Sequence, residues 1–224
     1  MDEVGIPYAV QRRRFLAGAG IAAAGLTLPL MAIALKPVPV AAPAPVVPAV
    51  PPAAPDLAMP RLFPRAMAAL DAHSGTITHR DRIGIVDFSQ ASREPRLHLV
   101  DLAAGSFDSL LVSHGKGSDP GRSGWLQRFS NVPDSEASSR GAYLTGAEYV
   151  GKHGRSRRLA GLDPDNNLAE PRAIVMHGAD YVSKAMAADQ GLIGRSQGCF
   201  AVAQDAIGDV LEWLGEGRLL FAWK

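Results

Sequence analysis

Cys199 is the only cysteine among 224 residues, and it sits in the run Gly194-Arg195-Ser196-Gln197-Gly198-Cys199-Phe200-Ala201-Val202. One thiol cannot close an internal disulfide. It is a buried small hydrophobe, one ligand of a metal site, or a nucleophile. Gly198 lets the backbone pass close to a bound carbonyl, while Ser196 and Gln197 bring polar groups that a core-filling cysteine does not need. A thiol of ordinary pKa is mostly protonated at neutral pH, so a cysteine nucleophile needs an imidazole or an electropositive neighbour. The chain has six histidines, three of which (His114, His153 and His177) precede glycine. His177 is the candidate base, because it follows the apolar run Ala173-Ile174-Val175-Met176 and stands 22 residues before Cys199. That run is expected to be a buried strand ending at His177, a rigid mount for a side chain. The competing reading of His177 is a hydrogen-bonded core histidine. A zinc site is disfavoured by the lack of a second cysteine and of any His-x-x-x-His pair, and no cofactor is implied.

The elements around these residues read as a compact, curved, mostly antiparallel β system with a few short helices. A helix is expected over Pro64 to Ala72, with Leu62, Ala66, Ala69 and Leu70 near one face and Gly75 as its stop. Residues 82–88, 96–102 and 107–112 form aliphatic runs separated by turn formers, the first two pairing as a hairpin. Gly115 to Gly124 reads as a surface loop. Residues 142–145, 148–150 and 158–160 are expected as brief strands broken by Gly141, Gly146, Gly151, Gly154 and Gly161. A helical or looped excursion joins His177 to Cys199. Ile207, Val210, Leu211 and Leu214 fall at helical spacing before Gly215, and residues 218–223 close the sheet as a last strand.

Lysine and arginine number 23 against 22 acidic residues, which removes the electrostatic case for a nucleic-acid binder. The cluster Lys152, His153, Arg155, Arg157 and Arg158 is the local exception. It reads first as a solvated turn and secondly as a receptor for a substrate carboxylate. At the N-terminus, Arg12-Arg13-Arg14 precede an uncharged Ala-, Gly- and Leu-rich run from Phe15 to Leu35, and Ala32-Ile33-Ala34 fits a small-x-small cleavage site. Residues 1–35 are therefore similar to a twin-arginine export signal, or a membrane anchor if uncleaved. Residues 36–61 form a Pro/Ala/Val-rich linker, with nine prolines between Lys36 and Pro60. Proline lacks a donor and fixes φ, so this is an extended spacer reaching ~75 Å at about 3.1 Å per residue. The remaining residues, 62–224, suffice for one domain burying roughly 70% of its unfolded surface.

Together the stretches Ile83 to Ser89, Arg96 to Leu102, Val112 to Gly115, Phe129 to Asn131, Ser138 to Gly154, Arg172 to Ala179 and Gly194 to Val202 resemble the L,D-transpeptidases with a YkuD-type catalytic domain. The resemblance implies a mostly-β catalytic fold in which Cys199 of the Ser-x-Gly-Cys motif is the nucleophile and His177 its base. It makes Ser196, Gln197 and Gly198 the motif loop, with the Cys199 backbone N–H as an oxyanion donor. Arg195, Gly178, His114 and Ser139 are the candidate substrate-binding residues, and Arg172 a further candidate for pairing with a stem-peptide carboxylate. Gln197 stands where the widest version of the motif carries histidine, and Phe200 where proline is associated with this branch. The implied reaction is attack on the third residue of a peptidoglycan tetrapeptide stem, loss of the terminal D-alanine, and resolution of the thioester by an amine of a neighbouring stem. Resolution by water would make an L,D-carboxypeptidase, and loss of catalysis a wall-binding module. The implied partners are peptidoglycan stem peptides outside the membrane and, as covalent inhibitors, carbapenems. The implied location is periplasmic or cell-envelope associated.

Overall fold

The computed structural model describes residues 59–224, and the expected export segment and most of the linker lie outside the described residues. Arg61, assigned to the linker by composition, already belongs to the domain. Its guanidinium donates to both oxygens of buried Asp87 at 3.0 and 2.9 Å. Helix α1 (Phe63–Ala72) carries Pro64 in its first turn, where the missing N–H is not needed, and buries Ala66 and Leu70 one turn apart. Among the described residues no helix is long and apolar enough to cross a membrane.

The strands are β1 (Arg82–Asp87), β2 (Leu97–Asp101), β3 (Ser106–Leu110), β4 (Gly141–Gly151), β5 (Gly154–Gly161), β6 (Val175–Ala179), β7 (Phe200–Ala203) and β8 (Leu219–Trp223). Helices α2 (Lys184–Gln190) and α3 (Ile207–Leu214) fall before and after β7. All eight strands form one sheet in the order β3-β2-β1-β8-β4-β5-β6-β7. β1 and β2 pair as the expected hairpin, Ile83 opposite Val100. The sheet is mostly antiparallel, but β1 runs parallel to β8 and β6 parallel to β7. Gly146 does not break β4. A register shift between Thr145 and Glu148 bends one long strand where two short ones were expected.

Alternation along β1 and β8 gives the sheet two apolar faces. Ile83, Ile85, Leu219 and Phe221 pack with Leu62, Ala66 and Leu70 of the α1 region. Val86, Leu220 and Ala222 join Tyr143, Met176, Phe200 and the α3 residues Val210, Leu211 and Leu214. Phe200, which stands where proline was associated with this branch, is wholly buried in that second cluster. Its ring stacks on Phe88 and meets Tyr143 edge-on at 5.3 Å. Burying a phenylalanine is worth about 2–3 kcal/mol, so this residue fixes the start of β7 directly beside Cys199.

The strand carrying His177 differs from expectation. β6 begins at Val175 and runs through to Ala179, so His177 is its central residue and not its end. Ala173 has φ +53°, a left-handed turn conformation that delays the strand. Gly178 continues it as bare backbone in a tight space: a Cβ there would lie 2.7 Å from the Gln204 side chain and 3.0 Å from Ile207.

Candidate active site

The motif loop is built from backbone hydrogen bonds around one serine. Buried Ser196 accepts the Gly198 N–H at 3.1 Å and donates to the Cys199 carbonyl at 2.7 Å. Gly198 has φ +113°, and a side chain there would strike the Ala137 carbonyl. A second segment clamps the loop from behind. The Ser196 N–H donates to the His114 carbonyl, and the Lys116 N–H donates to the Ser196 carbonyl. Gly115 lies so close that a Cβ would sit 2.8 Å from the Gly198 nitrogen. Its N–H donates to Ser138 Oγ at 3.0 Å, and that hydroxyl in turn donates to the Gly198 carbonyl at 3.3 Å. Gln197 is exposed at the loop tip.

Cys199 immediately precedes β7, whose residue Ala201 pairs with His177. Ala201 and His177 are register partners, and Cys199 stands two residues before Ala201, so the strand alternation carried one residue beyond β7 puts Cys199 on the His177 side, with α-carbons roughly 8 Å apart. The half-buried thiol lies 3.6 Å from the Ala173 carbonyl. Burial pushes its pKa above the usual value near 9, an effect only partly offset by the Val175 N–H and by the charges of Lys152 and Arg172. The His177 imidazole is almost fully buried, and burial holds its pKa below 6.5 against a smaller upward pull from the Gly178 carbonyl. Its Nδ1 lies 2.8 Å from that carbonyl, which can only accept, so Nδ1 carries the proton and Nε2 keeps a free lone pair. At neutral pH the pair is a neutral thiol and a neutral imidazole whose proton-accepting nitrogen is unspent.

The basic cluster, read from sequence as a solvated turn, is divided by the β4–β5 hairpin. Arg157 turns inward and donates to the Gly146 and Leu211 carbonyls. Arg155 pairs with Glu148. Lys152 and His153 occupy the tip, and the His153 ring stacks on His177 with centroids 4.2 Å apart. Sequence reasoning did not connect His153 with His177; only the folded hairpin brings the tip over β6.

The remaining candidates separate. Gly178 is buried beside His177 in β6. Arg195 is committed to the loop, donating to the Asp119 carbonyl. Arg172 donates to the carbonyls of Ser130 at 2.8 Å and Ala137 at 2.5 Å, holding the far wall of the loop beside Cys199. His114 and Ser139 are fully buried, so the structure removes them from direct contact with a substrate. His114 Nδ1 accepts from buried Arg96 at 2.8 Å, leaving Nε2–H directed towards Asp119, and Ser139 bonds the Tyr143 hydroxyl. Both are scaffold. A cavity of about 950 Å³ between Leu110, Val182 and Ala203 has neither Cys199 nor His177 in its lining. Its size alone does not make it the functional site, because neither of the candidate reactive side chains reaches it.

A profile for the L,D-transpeptidase catalytic domain matches residues 56–223. Similar solved structures include an L,D-transpeptidase from Mycobacterium smegmatis, 12% identical, covering 64% of this chain and 59% of that one with a TM-score of 0.39. L,D-transpeptidase 3 from Mycobacterium tuberculosis in complex with a faropenem-derived adduct is 11% identical over 64% of this chain and 60% of that one, TM-score 0.41. The helical cell shape determining protein Pgp2 from Campylobacter jejuni is 12% identical over 71% of this chain and 54% of that one, TM-score 0.39. The chain thus spans less than two thirds of the length of each of these relatives. No curated protein matches it. The profile match runs over essentially the whole described domain, from before α1 to the end of β8, and the chain belongs to the L,D-transpeptidase catalytic-domain family.

Proposed function

We propose that this protein is an exported peptidoglycan L,D-transpeptidase that joins two stem peptides through their third residues by way of a Cys199 thioester. The observation that carries the reading is the placement of a lone half-buried thiol two residues before Ala201, the register partner of a histidine whose Nδ1 is bonded to the Gly178 carbonyl and whose Nε2 is left to accept a proton. Cys199 Sγ attacks the carbonyl of the third stem residue while its proton passes to His177 Nε2. The carbonyl oxygen takes the negative charge, facing the Cys199 N–H. Collapse breaks the bond to D-alanine, whose amine leaves with the proton from His177. The side-chain amine of a second stem then attacks the thioester and loses a proton to Nε2, and the thiolate departs and is reprotonated. Lys152 at the hairpin tip supplies a positive charge for a stem carboxylate. Export is supported by the arginines at 12–14 and the apolar run that follows them.

The test is incubation of the purified protein with disaccharide-tetrapeptide, with product analysis by mass spectrometry. Cross-linked dimer with release of D-alanine is expected. Tripeptide monomer alone would make the protein an L,D-carboxypeptidase, and absence of both from folded protein would leave only a wall-binding role.

A further inference from the structure

We propose that Ser138 is the positioning residue of the oxyanion site, acting through the Gly198 carbonyl; the inference rests on Cys199 being the nucleophile, as proposed above. The Gly198 carbonyl and the Cys199 N–H belong to one peptide unit, and in a planar trans peptide these two groups point in opposite directions. Whatever holds the carbonyl inward aims the N–H outward, towards the position of a carbonyl oxygen under attack by Sγ.

Ser138 is the side chain that does so. Its hydroxyl is fully buried and accepts the Gly115 N–H at 3.0 Å, which leaves its own proton for the Gly198 carbonyl at 3.3 Å. Its backbone N–H is fixed by Ser118 Oγ at 3.0 Å, so the hydroxyl is held from both ends of the residue. The remaining freedom of the Gly198–Cys199 peptide is large, because glycine permits a flip that other residues resist. Ser196 restrains the groups on either side, the Gly198 N–H and the Cys199 carbonyl, but not this carbonyl. Among the described residues no loop or turn hydrogen bond uses the Cys199 N–H. A bond of 3.3 Å at rest is of the kind that tightens when charge develops on the other side of the same peptide.

Two reactions of one thiol separate this role from general support of the fold. Alkylation by iodoacetamide displaces iodide at a saturated carbon and builds no oxyanion. Acylation by p-nitrophenyl acetate forms the S–C bond, passes through an oxyanion and expels p-nitrophenolate. Removing a direct oxyanion donor costs about 10²–10³ in rate, and a displacement of about 1 Å costs up to about 10². Ser138→Ala is expected to slow acylation about ten- to hundredfold while alkylation stays within about twofold of the parent. Ser138→Thr, which keeps the hydroxyl, should recover most of the acylation rate. Ser92→Ala, which removes another buried hydroxyl bonded only to the Ile193 N–H, should change neither rate. Equal rates for Ser138→Ala and the parent, or a parallel fall in both reactions, would overturn the proposal. So would failure of both Ser138 variants to fold, since Ser138 would then be a folding residue. A parent protein modified at Cys199 by neither reagent would instead refute the nucleophile assignment itself.

Discussion

Replacing His177 by alanine should change the shape of the pH profile of Cys199 reactivity, and not only its height. Burial holds the thiol above its usual value near 9, so at pH 7 free thiolate is below about 1% of the protein. Ordinary thiolate chemistry is therefore slow in this site without a base. The His177 imidazole is held below 6.5, so it is unprotonated at pH 7 and able to accept. In the parent, the alkylation rate should rise with pH through the histidine pKa below 6.5, level off near neutrality, and climb again as thiolate forms. His177→Ala should lose the plateau and rise about tenfold per pH unit until the thiol itself titrates. A positioned base contributes about 10²–10⁴ in rate, so the deficit should be widest near pH 7 and close in alkali. Iodoacetamide rates from pH 5 to 10, followed by intact mass, read this directly. Parallel profiles in the two proteins, separated by a constant factor or by none, would refute the assignment of His177 as base.

Acid should destabilise the protein through His114. Burial and the neighbouring Arg96 push its pKa down to about 4, so as pH falls from 6.5 towards 4 the unfolded chain takes up the proton first. The stability lost over that window is on the order of 3 kcal/mol. His114→Gln should flatten the difference between urea denaturations at pH 7 and pH 4.5, and an unchanged difference would show that His114 is not the sensor. Gly115→Ala should be among the most damaging single-methyl changes, because its Cβ would lie 2.3 Å from the Glu136 carbonyl and 2.8 Å from the Gly198 backbone. A loss of about 1–3 kcal/mol and a matching loss of acylation are expected, and a melting temperature equal to the parent's would contradict the clamp.

The candidate site was legible in the sequence where it depends on residue type, and obscure where it depends on which way a side chain turns. A lone Cys after Gly and a His-Gly after an apolar run single out Cys199 and His177 as candidates without coordinates, and the fold sets them on neighbouring stretches of chain. Adjacent Ser138 and Ser139 cannot be told apart in the same way. One faces the loop at Gly198 and the other the Tyr143 hydroxyl, a difference set by the path of the chain entering β4. The extent of β6 was misread because its start follows the left-handed Ala173 and it continues through Gly178, whose bare backbone fits closely against Gln204 and Ile207, features no local pattern announces. The parallel pairing of β1 with β8 joins residues more than 130 positions apart, Ile83 with Leu219, and no local pattern announces it. Helix α1 and the β1–β2 hairpin were legible because proline placement, periodicity and turn formers act locally.

The central claim is that Cys199 carries the acyl group, and intact-mass spectrometry of the protein mixed with tetrapeptide stem in the absence of an acceptor amine tests it most directly. The expected result is an adduct of the stem peptide less D-alanine, located on the peptide containing Cys199, discharged by added amine, and absent from Cys199→Ala. Turnover of the tetrapeptide by folded Cys199→Ala, or an adduct on any other residue, would contradict it.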